Sequence, residues 1–298
     1  MKDFCGLVSI VGRPNVGKST LLNRLIEQKI SITSRKSQTT RNNILGIKTK
    51  ENYQMVFIDT PGVHINASKV MNKVLNQSAL GAIEDADLII FMLQRNKINT
   101  LDELILERLR GIKTKKLCVI NKLDQVASKN SLLPVIEKLR SEYDFAEIIP
   151  VSAKTGKNIN ELENMICQNL PENNHLYDSD TKFLAKESFM ISEIIREKII
   201  RFLGEELPHE TYVQLQKLED KENIINIDAE IIVARESQKG IVVGKNGAKL
   251  KKIGEKARID LEKFFNKKVF LKTWVKTKKN WNNDSDFISS LGIGSLYD

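Results

Sequence analysis

Gly12-Arg13-Pro14-Asn15-Val16-Gly17-Lys18-Ser19 spells G-x-x-x-x-G-K-S, and it lies between an apolar strand-like run, Leu7 to Val11, and a helix-like segment from Lys18. In that setting the backbone N–H groups of a glycine-rich loop converge on phosphate oxygens. The helix that follows adds the positive end of its dipole. Lys18 would neutralise terminal phosphates, the Ser19 hydroxyl would ligate Mg²⁺, and Thr20 follows on the first helical turn. The stretch reads as a triphosphate cradle opening a doubly wound α/β domain.

Three further motifs follow in order, each at the end of an apolar run. Asp59-Thr60-Pro61-Gly62 closes the run Met55 to Ile58. Asp59 would hold the metal through water, and Gly62 would offer its N–H to a γ-phosphate and lose that bond on cleavage. Asn121-Lys122-Leu123-Asp124 closes Lys116 to Ile120. The Asp124 carboxylate can accept from both the N1–H and the 2-amino group of guanine, a donor pair that adenine lacks. Ser152-Ala153-Lys154, after Ile148 to Val151, fits a backbone N–H contact to guanine O6. Ligands of open α/β sheets bind at the carboxyl ends of strands, where all four motifs fall. GTP is the expected ligand.

With these motifs, and with Ser34-Arg35-Lys36-Ser37-Gln38-Thr39-Thr40-Arg41 in the position of a first switch, the chain resembles the translation-factor-like GTPases. More narrowly, it resembles the bacterial ribosome-assembly GTPases that carry a second, RNA-binding domain. The resemblance implies that Thr40 ligates Mg²⁺ in the GTP state, with Thr39 as the alternative. Many GTPases place a Gln after Asp-x-x-Gly to orient the attacking water; here Val63 stands there and cannot. Hydrolysis is then expected to be slow, or assisted. In related GTPases an Asn at the position of Asn15 helps to hold a potassium ion beside the phosphates; Arg13, Arg35 and Arg41 keep an internal arginine finger open as the other solution.

From residue 1 to 170 the pattern alternates. Strands are expected near Cys5–Val11, Asn43–Thr49, Tyr53–Ile58, Leu88–Leu93, Lys116–Ile120 and Ile148–Val151, and helices near Lys18–Glu27, Val70–Ile83, Leu101–Leu109, Leu132–Glu142 and Ile159–Asn169. That rhythm predicts a mainly parallel sheet with helices on both faces. The polar stretch within 171–182 reads as a linker. Residues 183–298 then read as an α+β domain: helix Ala185–Phe202, strands Thr211–Leu218 and Ile224–Val233, a helix–loop–helix around Gly244-Lys245-Asn246-Gly247, and a last strand Val269–Val275. This order resembles a KH domain of the type that begins with a helix and two strands. Its G-x-x-G loop would clamp single-stranded nucleic acid beside an apolar groove. The second of two glycines frequent in such loops is replaced by Asn246.

Charge supports the nucleic-acid reading. Between Ser237 and Trp281 there are 14 Lys or Arg against 3 acids, a local net of +11, while the whole chain is +9. The basicity is therefore one patch, with Lys245, Lys249 and Lys252 nearest the loop. Trp274, on an alternating strand, is expected in the core, and Trp281 is the candidate for stacking on a base. By resemblance, the RNA would be the 3′ end of small-subunit ribosomal RNA, bound during maturation of the small ribosomal subunit.

The composition, 41% hydrophobic and 29% charged over 298 residues, fits two compact domains. No apolar stretch reaches the roughly 18 to 20 residues of a membrane span. Lys2 and Asp3 lead straight into the first strand, so no secretory signal is expected. A cytoplasmic protein follows, with peripheral contact at the inner face of the cell membrane open through the basic patch. Cys5, Cys118 and Cys167 lack ligand spacing and read as reduced, buried thiols; His64, His175 and His209 are isolated. Two other classes stay open at this stage: an enzyme acting on a different phosphate acceptor, such as a kinase, and a non-catalytic RNA scaffold holding GTP structurally. The apolar tail Phe287 to Leu291 has no readable role beyond packing on the second domain.

Overall fold

The computed structural model describes residues 2–32, 44–60, 70–203 and 210–291. The expectations for the first switch (Ser34 to Arg41, with Thr39 and Thr40), for Pro61, Gly62, Val63 and His64, and for His209 lie outside them.

The first domain is a seven-stranded sheet. Its strands are β1 (Phe4–Val11), β2 (Ile44–Lys50), β3 (Tyr53–Asp59), β4 (Leu88–Gln94), β5 (Lys115–Asn121), β6 (Glu147–Pro150) and β7 (Phe183–Leu184), in spatial order β6-β5-β4-β1-β3-β2-β7. Pairs among β6, β5, β4, β1 and β3 are parallel, and β2 and β7 add antiparallel at the edge. The central strands are continuous apolar runs because both of their faces are covered. Leu88, Ile90 and Met92 pack with Leu21, Leu22 and Leu25 of α1 (Lys18–Ile26) and Leu162 and Ile166 of α5 (Ile159–Asn169). The alternate residues Ile89, Phe91 and Leu93 pack with Ile83 of α2 (Val70–Glu84), Ile105 and Leu109 of α3 (Thr100–Arg110) and Leu139 of α4 (Leu133–Glu142). A period of two thus feeds two cores, one on each side of the sheet. The three cysteines are free and buried.

The stretch after α5 is fastened to this sheet. Cys5 N–H donates to Pro171 O at 3.2 Å and Ile47 N–H to Lys182 O at 2.8 Å. Buried Gln54 donates to Tyr177 O at 2.8 Å and accepts from the N–H groups of Leu176 and Tyr177 at 2.8 and 3.0 Å.

The second domain runs α6 (Glu187–Phe202), β8 (Thr211–Asp220), β9 (Ile224–Val233), α7 (Glu236–Val243), α8 (Ala248–Phe265) and β10 (Lys268–Thr277), with sheet order β10-β9-β8. β10 is parallel and β8 antiparallel to β9, and the inward residues Ile225, Ile227, Ala229 and Ile231 meet Ile195 and Ile199 of α6 and Ile253, Ala257 and Leu261 of α8. This is the α+β order expected of the KH type.

The two tryptophans reverse the expectation. Trp281 is fully buried, its indole N–H donating to Glu210 O at 3.1 Å, whereas Trp274 is half-buried with its N–H on Glu230 at 2.9 Å. Trp281 is no base-stacking surface. It packs with Ile232, Ala234 and Ile288 of its own domain and with Met71 and Leu75 of α2 in the first. The short helix α9 (Ser285–Ser290) completes this cluster: Phe287 meets the Trp281 ring edge-on at 6.4 Å, and Leu291 O accepts from the Tyr212 hydroxyl at 3.2 Å. The tail is therefore part of the joint between the domains. A sequence scan misplaced Trp281 because it follows four lysine-rich positions, and the apolar partner that covers it lies some 200 residues earlier.

Removing this indole leaves a cavity shared by both domains. Trp281→Ala should lower the midpoint of urea unfolding, at a cost of about 3–5 kcal/mol typical of a buried aromatic. Circular dichroism across a denaturant series checks it; an unchanged midpoint would mean that the joint contributes nothing to stability.

Candidate functional site

The four motifs meet at the carboxyl ends of β1, β3, β5 and β6. Gly17 lies at φ +109°, and a Cβ there would stand 2.3 Å from the Asn121 amide nitrogen. The reason is the Asn121 carboxamide itself: it donates to Val16 O at 2.8 Å and accepts from Ala153 N–H at 3.0 Å. One side chain thus binds the phosphate loop to the loop after β6. Lys122 reinforces it with its ammonium on Asn15 O at 2.7 Å. Asn15 itself is exposed in a left-handed turn at φ +65°, which Asn tolerates.

Lys18 is buried and curls over the loop, donating to Gly12 O at 3.0 Å and Arg13 O at 3.4 Å. Burial pushes its ammonium down to about 8, against the opposing pull of the Asp59 carboxylate. Asp59 is fully buried, and its Oδ2 accepts from the hydroxyls of Ser19 at 2.8 Å and Ser31 at 2.7 Å. A hydroxyl beside a hard carboxylate is a donor set that suits Mg²⁺. The Thr60 hydroxyl is committed to Ile10 O at 2.8 Å, so its side chain locks the end of β3 onto β1.

The base side is equally ordered. The Asp124 carboxylate is exposed and held by the buried Ser152 hydroxyl at 2.6 Å. Ser152 also accepts from Thr155 N–H at 3.2 Å, so a hydroxyl fixed by the loop orients the Asp124 carboxylate. Arg24, from α1, donates to the carbonyls of Ala153 at 3.2 Å and Lys154 at 2.7 Å and clamps this loop from behind. A cavity of about 480 Å³ lined by Thr20, Asn23, Arg24, Ala153 and Lys154 runs beside it. Arg13 pairs with buried Asp102 at 3.1 Å, so its guanidinium is engaged by α3 in this arrangement.

In the second domain, Gly244 sits at φ +72°, and a Cβ there would come within 2.9 Å of the Lys249 side chain. Asn246 and Gly247 follow at φ +51° and +76°. Asparagine is among the few residues that adopt this conformation readily, which accounts for its place in the loop. Lys245 and Lys249 are exposed beside it with Ile241, an apolar residue left 43% accessible. Lys252 is also exposed, its ammonium 5.3 Å from the Phe202 ring.

Residues 7–122 match the family described as 50S ribosome-binding GTPase, and residues 206–282 match the KH domain family. GTPase Era of Haemophilus influenzae is 47% identical over 292 residues, covering 98% of this chain and 97% of that protein. Era of Pasteurella multocida is 46% identical, covering 98% and 95%. The chain belongs to the Era family of GTPases. Among solved structures, Era in complex with MgGDPNP and nucleotides 1506–1542 of 16S ribosomal RNA superposes with a TM-score of 0.95 at 35% identity, covering 99% of this chain and all of that one. A variant of Aquifex aeolicus Era bound to GDP·AlF4⁻ gives 0.94 at 35% identity over the same shares. The P-loop and KH domains, and the guanine-specific GTPase class expected from the four motifs, agree with this membership.

Sequence reading missed Asn23, Arg24, Ser31 and Ser152's bond to Asp124. The first three lie outside every phosphate or base motif, and only their tertiary partners mark them.

The Lys18 ammonium must be charged to meet phosphate. Below pH 8 it already is; above, binding must recruit a proton. Affinity for GTP should therefore fall about fourfold between pH 7 and pH 8.5. Lys18→Met should bind weakly with no such slope. Calorimetric titration at several pH values measures both.

Proposed function

We propose that the chain is a GTP-hydrolysing switch that binds the 3′ end of small-subunit ribosomal RNA and assists maturation of the small ribosomal subunit in the cytoplasm. The carrying observation is a guanine-nucleotide site and a basic G-x-x-G face on one chain, in the domain arrangement of the Era complex with MgGDPNP and 16S RNA. The units would be residues 1–170, a linker over 171–182, and an RNA-binding unit over 183–298, whose first two residues, Phe183 and Leu184, pair with β2 of the first sheet.

In this reading the backbone from Gly12 to Thr20 cradles the phosphates and Lys18 neutralises the terminal ones. Asp124 accepts from the guanine N1–H and 2-amino groups, with the Lys122 stem against the ring. Ala153 N–H already serves Asn121, and the backbone N–H groups of the Ser152–Lys154 loop would meet guanine O6. Mg²⁺, when bound, bridges phosphate oxygens and offsets the charge that develops on transfer. Ser19, Thr40 and, through water, Asp59 are its protein ligands. Thr60, Pro61, Gly62 and Val63 follow the γ-phosphate as the second switch. With valine at 63 the intrinsic rate would be slow, and Asn15 would help to hold a potassium ion that would supply positive charge beside the phosphates. Gly244, Lys245, Asn246, Gly247, Lys249 and Lys252 take the RNA backbone. The same basic face attracts anionic headgroups, so transient contact with the inner face of the cell membrane is a corollary. Among the described residues no helix is long and apolar enough to cross a membrane.

Two measurements test this. GTP hydrolysis under single-turnover conditions should be faster in potassium than in sodium at equal ionic strength, and Asn15→Ala should remove the difference; equal rates would discard the potassium site. RNA carrying the 3′-terminal sequence should bind more tightly with a non-hydrolysable GTP analogue than with GDP, and RNA should tighten analogue binding by the same factor, since linkage is reciprocal. Replacing Gly244 and Gly247 with Asp should abolish RNA binding and spare GTP affinity. Equal RNA affinity in both nucleotide states would leave two independent modules and end the switch reading.

A further inference from the structure

Asp59 shares its Oδ2 between Ser19 and Ser31, and Ser31 belongs to no nucleotide motif. Ser31 is 4% exposed, between Ile30 at 2% and Ile32 at 4%. It is also pinned through its backbone: Asn23 of α1 accepts from the N–H groups of Ile30 and Ser31, both at 2.9 Å, and donates to Ser31 O at 2.8 Å. Two residues earlier, Lys29 leaves the first domain. Its ammonium lies 2.6 Å from Glu197 Oε2 on α6.

Glu197 is 1% exposed. Burial would raise its pKa, but the bonds from Lys29 and Lys198 outweigh it and hold the carboxyl below its ordinary value. Arg201 adds a bond at 2.6 Å, and Lys198 pairs in turn with Asp260 of α8, the helix that leaves the G-x-x-G loop. Residues 29 to 31 can span at most ~7 Å. A rigid three-residue strap therefore ties the metal carboxylate to the buried face of the RNA-binding domain.

We propose that Ser31 is a positioning residue for the Asp59 carboxylate, and that the Lys29–Glu197 pair lets docking of the RNA-binding domain fix where Ser31 stands. A fully buried carboxylate needs donors to stay ionised and oriented. Ser31 supplies one from a segment held by Asn23 of α1 on one side and joined to the second domain through Lys29 on the other. Loss of docking then loosens Asp59 without touching a residue of the phosphate loop. The inference rests on Asp59 as the magnesium carboxylate.

The test is release of fluorescent GDP from the full-length protein across a Mg²⁺ titration. Ser31→Ala should raise the Mg²⁺ concentration that half-suppresses release by about tenfold, the low end of the effect of removing an outer-shell partner at a metal site. Ser31→Thr, which keeps the hydroxyl, should restore it. Glu197→Gln, remote from the nucleotide, and Lys29→Gln should each shift the midpoint the same way, and Ser31→Ala with Glu197→Gln should shift it no further than Ser31→Ala alone. An unmoved midpoint in Ser31→Ala would overturn the positioning role. A shift confined to Lys29→Gln would assign Lys29 to the nucleotide instead, and additive shifts would separate the two contacts; either result overturns the strap. Release from the wild-type protein that ignores Mg²⁺ would overturn the magnesium reading itself, and the inference with it.

Discussion

The Asn121 carboxamide is the contact on which the nucleotide site is built, because it fills both halves of its hydrogen-bonding capacity with backbone from two other loops. Its approach requires a residue without a side chain at Gly17, and Gly17 in turn gives α1 its left-handed entry. With the phosphate loop and the Ser152–Lys154 loop held by one side chain, the base and phosphate subsites cannot drift independently. Lys122 and Arg24 add a second tie on each flank. Preorganisation of this kind places the donors before the ligand arrives, so less of the binding energy is lost to ordering the loops.

Among the described residues two unlike contacts stand out between the domains, and magnitudes separate their roles. The Trp281 cluster buries an indole and four or more aliphatic side chains, at about 1.5–3 kcal/mol for each large side chain fully removed from water. The Lys29–Glu197 pair has its lysine side chain 51% exposed, and such pairs contribute about 0–1 kcal/mol after screening. Apolar burial holds the domains together. The ion pair is too weak to do so; Glu197 also pairs with Lys198 and Arg201 of its own helix, and Lys29 adds a directional contact from the first domain that constrains geometry. The cluster touches α2, which follows the second switch, and the pair touches the segment leading to the first. Segments that border both switch motifs, Lys29 before the first and α2 after the second, therefore contact the RNA-binding domain.

The fold was legible because its information is local. Apolar runs of four to eight residues set the strands, and the observed ends differ from the expected ones by about one or two residues. The phosphate, metal-side and base motifs were legible for the same reason: each packs its chemistry into a few consecutive positions. Residues that only position those groups were not. Ser31 acts on a carboxylate 28 positions later and Arg24 on carbonyls 129 and 130 positions later, and neither separation leaves a pattern in one sequence. The Trp281 reversal has the same origin, since the residues around it in the chain are polar and basic while Met71 and Leu75, which help to cover it, come from α2. Asn246 is the converse case: a departure from the expected glycine became intelligible once its φ of +51° was seen.

Lys18 shows what the preformed site costs. Its ammonium is buried against carbonyl dipoles, and the drop from 10.5 to about 8 corresponds to roughly 3 kcal/mol of unfavourable burial for the charged form at neutral pH. Because this lowered value lies below that of the unfolded chain, the penalty is present below pH 8 and fades as pH rises through 8 toward 10.5. A bound triphosphate removes it at any pH by giving the ammonium a matching charge. The nucleotide therefore completes the domain electrostatically as well as occupying it, and the stability of the phosphate loop becomes linked to nucleotide concentration. The same linkage extends to Asp59, whose negative charge already opposes the drop at Lys18. A residue that moves Asp59 moves the balance at Lys18 as well, so the carboxylate and the ammonium respond to the arrival of phosphate as one unit.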